Sequence, residues 1–464
     1  MSAPGPGWPL VLALLCLPQL LRLVLSIPVL TPLDFNEGWN ALHVQALDLG
    51  LALYPARGEG FGNNYPPLSF LAVQAASGAI PDFIVAGRAV ATLSFLALCL
   101  FTGLTARIWA GASGGLWAGT YLAALFLAYS HYPGINDPQM LGHALAAAGL
   151  WVVARHPGAP RALAAAAVLM VLAGCVKQNL VVLPLSLLIW LLRYERRSAL
   201  AFCLASVSAA GLAWWLCETA YGPGFLAHLL TPRVHAWSMS LDSGGHWLVK
   251  TGPLLLLLGG ASWYWKEDVQ LRFCAIYAGI GSLSGVYFIG GAGVDQNVFF
   301  DVYIACTLGF ALALRNASAS SPLCPHKGRA ALATAFLTPI ALSAAIQAAP
   351  EWLEKAHWLT PHQDEVRRSA VLIQALRTAG RPALCGEPAF CYWGGQGRVV
   401  DPFGHSQGVA TGHASPDALY ARVRQREFAA IQNAPVWGEA MLRVALESGY
   451  RAAPGFTGEA LLLR

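Results

Sequence analysis

Charged side chains are scarce in this sequence. Asp, Glu, Lys and Arg make up 11% of its 464 residues, whereas soluble domains carry about 25%. Hydrophobic residues make up 56%, and the mean hydropathy is +0.52. This composition excludes an ordinary soluble protein. It predicts a polytopic α-helical membrane protein with room for roughly ten helices of ~20 residues and a modest soluble domain.

Several motifs are also missing. The Gly-rich stretches lack the strand-to-helix context and the Lys that nucleotide-binding motifs need. The sequence has no internal repeat, and its histidines match no standard zinc spacing. The net charge of +5 is small, and cytoplasmic Arg and Lys explain it better than nucleic-acid binding does. Neither a nucleic-acid partner nor an ATP-driven reaction is expected.

Hydrophobic runs predict about eleven transmembrane helices. They fall near residues 9–30, 83–106, 113–130, 139–154, 162–176, 180–192, 199–221, 251–265, 273–290, 299–315 and 330–350. Arg and Lys concentrate in short loops on one side, which the positive-inside rule makes cytoplasmic. We therefore expect a protein of the cell (inner) membrane with a cytoplasmic N-terminus. Its predicted domains are a membrane domain, residues 1–350, and an extracytoplasmic domain, residues 351–464.

The segment after residue 350 is predicted to be a small α/β domain. One amphipathic helix is expected over Pro361–Ala379, and another starts at the Ser415 cap. Short apolar runs predict strands near residues 383–385, 398–400, 428–431 and 459–463. Cys385 and Cys391 can form a disulfide if this domain is extracytoplasmic, and the sequence alone does not decide whether they do.

The long first outer loop, residues 31–82, carries the most suggestive polar residues. Asp34 and Glu37 are three residues apart and can share one face of a helical turn. A carboxylate at a partly dry membrane boundary suits a general base. Together with Asp137, the pair is also a candidate for holding Mg²⁺ or Mn²⁺, and both residues are equally consistent with an ordinary helix end. Trp39 is either a sugar-stacking residue or an interfacial anchor.

Further polar segments fall on the same outer side. Asp137 lies in an Asn-Asp-Pro turn, and Lys177 lies between two apolar runs, where a phosphate-bearing ligand would be a suitable partner. Residues 231–250 include Arg233 and His235 and are predicted to be a flexible basic loop over an anionic donor. Asp295 and Asn297 precede a late span. Because the unusual polar residues collect on one side, we expect the functional site to lie on the extracytoplasmic side.

These motifs resemble those of the family 39 and related glycosyltransferases of the GT-C fold. That group includes protein O-mannosyltransferases and the aminoarabinose and galacturonic-acid transferases of lipid A. The resemblance covers roughly residues 30 to 315. It rests on the Asp34–Asn40 stretch, the Asn64–Leu68 stretch, and the turns around Asp137, Lys177 and Asp295. Many relatives have adjacent Asp and Glu, whereas two residues separate them here.

The resemblance implies an enzyme that transfers a sugar, with inversion, from a polyprenyl-phosphate donor to a hydroxyl on a lipid, glycan or protein. Asp34 or Glu37 would be the base, and we prefer Asp34 because it lies closer to the membrane. The implied catalytic residues are Asp34, Glu37 and Asp137. The donor phosphate is assigned to Lys177, Arg233 and His235. The remaining substrate contacts are assigned to Trp39, Asn40, Tyr65, Gln178, Asn179, Asp295 and Asn297.

Two other classes remain open from the sequence alone. A transporter or flippase for an amphipathic lipid would show repeats and polar residues in both membrane halves, and here the polar residues collect outside. A non-catalytic membrane scaffold would use the outer α/β domain to bind a partner.

Overall fold

A computed structural model describes residues 7–55, 61–320, 331–338, 340, 363–456 and 461–464. Most of the predicted span 330–350 lies outside the described residues, although residues 331–338 are helical. The predicted domain boundary at residue 350 also lies outside them. The described part is mainly helical, as predicted.

The helices before the C-terminal part alternate between long spans and short outer segments. They are α1 (Gly7–Ser26), α2 (Phe35–Asp48), α3 (Leu68–Ser77), α4 (Phe83–Tyr129), α5 (Gln139–Arg155), α6 (Pro160–Val176), α7 (Val182–Tyr194), α8 (Arg196–Tyr221), α9 (Gly224–Leu229), α10 (Trp237–Tyr264), α11 (Val269–Phe288) and α12 (Phe300–Ser320). Within the described residues, five helices are long and apolar enough to cross a membrane, and α6 and α7 are shorter apolar helices. The chain is a multi-pass membrane protein.

Helix α4 contains two of the predicted spans. It is interrupted at Gly111, whose φ of 79° is a left-handed conformation that glycine adopts without steric cost. The two arms on either side of this break correspond to the predicted spans 83–106 and 113–130. At this break the direction of the chain reverses, so the two arms of α4 form a helical hairpin.

The prediction of a flexible loop through residue 250 is wrong, because α10 begins at Trp237. Its buried residues recur at helical spacing, including Ser240, Gly244, Trp247 and Thr251. The Trp247 ring stacks on Phe299 with 3.7 Å between ring centroids. Asp242, His246 and Lys250 of this stretch are exposed on the other faces of the helix, which is why the composition was typical of a loop.

The described residues of the first outer loop include two helices, α2 and α3. The Asp34 side chain caps α2 by accepting a hydrogen bond from the Asn36 amide. One face of α2 is buried, with Trp39, Leu42 and Val44 in an aromatic-rich cluster. Helix α3 follows the Pro66-Pro67 pair. The loop therefore presents a fixed surface above the membrane helices.

The C-terminal part combines short helices with a small sheet. Its helices are α13 (Gln363–Ala379), α14 (Pro388–Trp393), α15 (Pro402–Ala410), α16 (Pro416–Arg424) and α17 (Gly438–Glu447), and its strands are β1 (Ala383–Cys385), β2 (Ala430–Gln432), β3 (Arg451–Ala452) and β4 (Leu461–Leu463). The strand order is β1-β2-β4-β3. Strands β1 and β2 are parallel, while β4 is antiparallel to both of its neighbours. Cys385 and Cys391 are joined in a disulfide.

Three of the four predicted strand regions contain strands, and the one near residues 398–400 does not. Residues 398–400 lead instead into the Asp401 cap of α15. This run has only three residues, one Arg and two Val. It is too short for its pattern to distinguish a strand from a buried connecting segment.

Helix α14 attaches the C-terminal part to the first outer loop. The Phe83 amide donates to the Tyr392 hydroxyl at 2.8 Å, and Trp393 Nε1 donates to Asp82 Oδ2 at 2.9 Å. Gly38 of α2 lies directly against the backbone of Ala389. These contacts hold the C-terminal part over the outer face of the membrane helices.

Candidate active site

A pocket of about 370 Å³ lies between the first outer loop and the C-terminal part. Five segments of chain form its wall: the first outer loop, the turn after α4, the stretch around Arg233, the loop before α12, and α15 with its cap. Its polar lining residues are Asp34, Asn36, Asn63, Asn64, Tyr65, Tyr132, Thr231, Arg233, Asp295, Asp401 and Gln407. The pocket thus brings together carboxylates, amides and a guanidinium.

Asp34 is the carboxylate of the predicted pair that lines this pocket. Its Oδ1 accepts the Asn36 amide at 2.8 Å, and its Oδ2 lies 3.2 Å from His131 Nε2. Burial raises the pKa of Asp34, but the hydrogen bonds from His131 and Asn36 outweigh it, so the pKa lies below its ordinary value. Asp34 is therefore ionised at neutral pH and can accept a proton.

Glu37, the alternative candidate for the base, does not line the pocket, and its carboxylate is held by protein donors. Arg88 Nε and Nη2 each donate to its carboxylate at 2.6 Å, with both side chains fully buried. The amides of Leu33 and Asn136 complete the set, at 2.8 and 3.1 Å. A carboxylate with four donors has no free lone pair directed at a substrate.

Asp137 and Lys177 form a buried ion pair behind the pocket wall. Lys177 Nζ lies 3.7 Å from Asp137 Oδ1 and 5.0 Å from the centre of the Tyr65 ring. Burial raises the pKa of Asp137, and Lys177 partly opposes this. Burial lowers the pKa of Lys177, but Asp137 and Tyr65 outweigh it and the pKa is raised. The ammonium is thus charged and separated from the pocket by Tyr65.

Of the predicted substrate contacts, Trp39, Tyr65 and Asp295 line the pocket, as does the predicted phosphate ligand Arg233. The Arg233 guanidinium lies 5.1 Å from the centre of the Phe403 ring, which holds it at the pocket edge.

The other predicted contacts lie outside the lining and have protein partners. Asn40 Nδ2 donates to the Asn136 carbonyl at 2.8 Å, and Gln178 Nε2 donates to the Asn64 carbonyl at 2.7 Å. Asn297 Nδ2 donates to Gln139 Oε1 at 3.3 Å. His235 Nε2 lies 2.8 Å from the Tyr287 carbonyl. These side chains shape the surrounding loops.

Asn179 differs from them. Its Oδ1 is buried, and no hydrogen-bond donor among the described residues reaches it. Asn179 lies two residues after Lys177 in the sequence, and it does not line the pocket.

The three carboxylates named as candidate metal ligands are not brought together. Asp34 contacts His131, Glu37 contacts Arg88, and Asp137 contacts Lys177. Among the residues that the structure describes, no group of three or more His, Cys, Asp or Glu side chains could hold a metal ion. This geometry does not fit the predicted Mg²⁺ or Mn²⁺ site.

Sequence reasoning missed several residues of this region. Arg88 had a readable signal, because a charge inside an apolar helix needs a partner. For Asp401, the only signal in the sequence was the helix-capping pattern that it forms with Pro402. Its Oδ2 accepts from Trp39 Nε1 at 3.2 Å, so the C-terminal part contributes directly to the pocket. No local pattern in the sequence indicates that long-range contact.

No protein-family model matches this chain, and no curated protein matches it. Solved structures do. The crystal structure of ArnT from Cupriavidus metallidurans bound to undecaprenyl phosphate is similar with a TM-score of 0.64 and 14% identity, over 99% of this chain and 98% of that chain. The chain has the GT-C fold. The apo state of the same ArnT is similar with a TM-score of 0.63 and 14% identity, over 98% and 97% of the two chains.

The similarity to ArnT extends over nearly the whole chain. It therefore includes the C-terminal part as well as the membrane helices, although the sequence resemblance covered only about residues 30 to 315. The fold predicted from the outer-loop motifs is confirmed.

Proposed function

We propose that this protein is a membrane glycosyltransferase that transfers a sugar from a polyprenyl-phosphate donor to a hydroxyl acceptor, with inversion. One observation carries the proposal: Asp34 and Arg233 line the same pocket in a chain with the GT-C fold. Undecaprenyl phosphate, to which the similar ArnT structure is bound, belongs to the chemical class of the lipid phosphate that the proposed donor would release. A lipid, a glycan or a protein can supply the acceptor hydroxyl.

In the proposed reaction, Asp34 accepts the proton of the acceptor hydroxyl as its oxygen attacks the anomeric carbon. The new bond forms on the face opposite the phosphate, which inverts that carbon. The electrons of the breaking bond go to the phosphate oxygen. Arg233 stabilises this charge at the pocket edge, and the Lys177 ammonium adds positive potential from behind Tyr65.

Glu37 is proposed to position the site rather than to react. Arg88 bridges Glu37 to the carbonyl oxygens of Val29 and Thr31, at 2.6 and 2.7 Å. Glu37 also accepts the Asn136 amide. The pair therefore fixes the end of the segment after α1, the start of α2 and the Asn136 turn, which together hold Asp34 in place.

The proposed location of the reaction is the extracytoplasmic side. The basic residues of the short loops lie at the opposite ends of the helices from the pocket, as the positive-inside rule requires. The Cys385–Cys391 disulfide lies in the same C-terminal part that lines the pocket, and disulfides are typical of oxidising compartments.

The test is transfer by the purified protein from a panel of synthetic polyprenyl-phosphate sugars, measured as released polyprenyl phosphate. We expect Asp34→Asn to lower the rate by about 10²–10⁴-fold. Arg233→Ala should raise the KM for the donor, and the exposed Arg424→Ala is its matched control. Full transfer by Asp34→Asn would overturn the assignment of the base.

Wild-type protein that transfers none of these sugars would overturn the enzyme proposal. Lipid movement between leaflets in reconstituted vesicles would then favour a flippase, and specific protein capture with neither activity would favour a scaffold.

A further inference from the structure

His131 is a side-chain partner of Asp34 that does not line the candidate active-site pocket. His131 follows the outer end of α4, and its Nε2 lies 3.2 Å from Asp34 Oδ2. The side chain of His131 is 48% exposed, against 23% for Asp34. Since an ionised carboxylate only accepts hydrogen bonds, the imidazole N–H is the donor. One oxygen of the base is thus held by a backbone amide and the other by a group that titrates.

His131 borders a second pocket, of about 390 Å³, at the outer end of α1. Gln19, Arg22 and Ser26 of α1 line this pocket, whereas Asp34 does not. The Asp34–His131 contact therefore lies between the two pockets. His131 can exchange its proton with solvent in the second pocket while a substrate fills the first.

We propose, resting on the function proposed above, that His131 is a positioning residue that orients Asp34 and sets the pH range of transfer. Both forms of its ring donate a hydrogen bond to Asp34, so the orientation is kept throughout. Only the charged form also stabilises the Asp34 carboxylate electrostatically and so weakens it as a base. Transfer should accelerate as His131 loses its proton.

The direction of titration follows from the neighbourhood. The hydrogen bond to Asp34 raises the pKa of His131 above its ordinary value, and burial opposes this in part. Asp295 and Asp137 raise the pKa further. Among the described residues, the ionisable groups around His131 are Asp34, Tyr132, Asp137 and Asp295 together with Arg22 and Glu365 of the second pocket.

The first test compares rate–pH profiles of wild type and His131→Gln. Gln keeps an N–H donor but has no titrating proton. The wild-type rate should fall about threefold from pH ~8.5 to pH ~6, since an exposed ion pair contributes modestly. His131→Gln should show no such fall and should be faster than wild type at the acidic end. His131→Leu, which has no donor, should be slow at every pH.

Identical profiles for wild type and His131→Gln would overturn the inference while leaving the proposed function intact. A wild type without transfer would overturn the proposed function instead. The donor is a phosphodiester whose charge is constant across this range, so its titration does not imitate the expected profile.

The second test needs no transfer. The His131 titration is followed by NMR of histidine-labelled protein, with the signal assigned by its loss in His131→Gln. Asp34→Asn should lower the pKa of His131. Asp242→Asn is the control, because Asp242 pairs with the exposed His246 at 3.8 Å and should leave the His131 signal unchanged. A His131 pKa that is the same in Asp34→Asn would overturn the inference.

Discussion

Asp34 and Glu37 are three residues apart on the same turn of chain, but their carboxylates meet different surroundings. Asp34 is partly exposed to the pocket and bonded to a histidine. Glu37 is fully buried and bonded to Arg88. The chemistry available to each follows from these partners rather than from the residue type. Spacing alone therefore left the base unassigned, and burial separates the two.

Replacing Glu37 by Gln should destabilise the protein, because it leaves the buried Arg88 guanidinium without its counter-charge. Breaking such a pair by removing one partner costs about 3–5 kcal/mol. We expect a clearly lower thermal midpoint in detergent for Glu37→Gln and little change for Asp34→Asn. Equal midpoints for the two variants would contradict the structural role given to Glu37.

Glu387 makes the stability depend on pH. Burial raises its pKa from 4.5 to about 8, so the folded state holds this proton more tightly than the unfolded state does. The contribution of Glu387 to stability is complete below pH 4.5 and is lost as the pH rises towards 8. Glu387→Gln should therefore have the higher thermal midpoint at about pH 9 and a similar one at about pH 4.

The same comparison on the exposed Glu439→Gln provides the control. A pH-independent difference between Glu387→Gln and wild type would show that packing, not titration, governs this position.

At the scale of elements, the approach of α14 to α2 decides how the C-terminal part sits on the pocket. The two helices meet without a side chain between them at Gly38. A Cβ built there would lie 1.9 Å from the Ala389 backbone nitrogen. Because the obstacle is backbone, no rotamer change can relieve it.

Gly38→Ala should therefore push α14 away and weaken the Trp39–Asp401 contact beside it. We expect a loss of about 1–3 kcal/mol of stability and a reduced rate of transfer. Gly174→Ala is the matched control, because no atom lies within 4 Å of its added carbon. Normal transfer by Gly38→Ala would mean that this contact does not position the pocket.

The elements that could be predicted are those whose signals are local. Hydrophobic runs indicated the spans, Ser415 with Pro416 indicated α16, and the outer-loop motifs indicated the fold. Residues 237–250 were assigned to a loop because polar residues masked the helical spacing of Ser240, Gly244 and Trp247.

The site was predictable only in part. Asp34, Tyr65, Arg233 and Asp295 were identified from motifs on one side of the membrane, and all line the pocket. Asp401 was not identified, because its contact with Trp39 joins positions 362 residues apart. Long-range contacts of this kind leave no periodic pattern in a single sequence.

At the scale of the whole molecule, the orientation in the membrane is a prediction that reporter fusions can measure. A periplasm-dependent phosphatase fused after Arg464 should be active, and one fused after Arg196 should be inactive. A reporter that requires the cytoplasm should give the opposite pattern. Activity of the phosphatase at both positions would contradict the predicted topology.

Chelation tests the arrangement of charges over the whole site. Because Asp34, Glu37 and Asp137 each have a different side-chain partner, we expect EDTA to leave transfer unchanged. Loss of transfer with EDTA, restored by Mg²⁺ or Mn²⁺, would show that the carboxylates rearrange around a cation when substrate binds.

The hydrogen bond from Trp39 to Asp401 has a consequence for biosynthesis. The ribosome makes residue 39 before helices α4 to α12 and residue 401 after them. With the proposed orientation, the segment containing Asp401 must also be translocated before the two residues can meet. Nascent chains that are still being inserted would therefore lack one wall of the pocket.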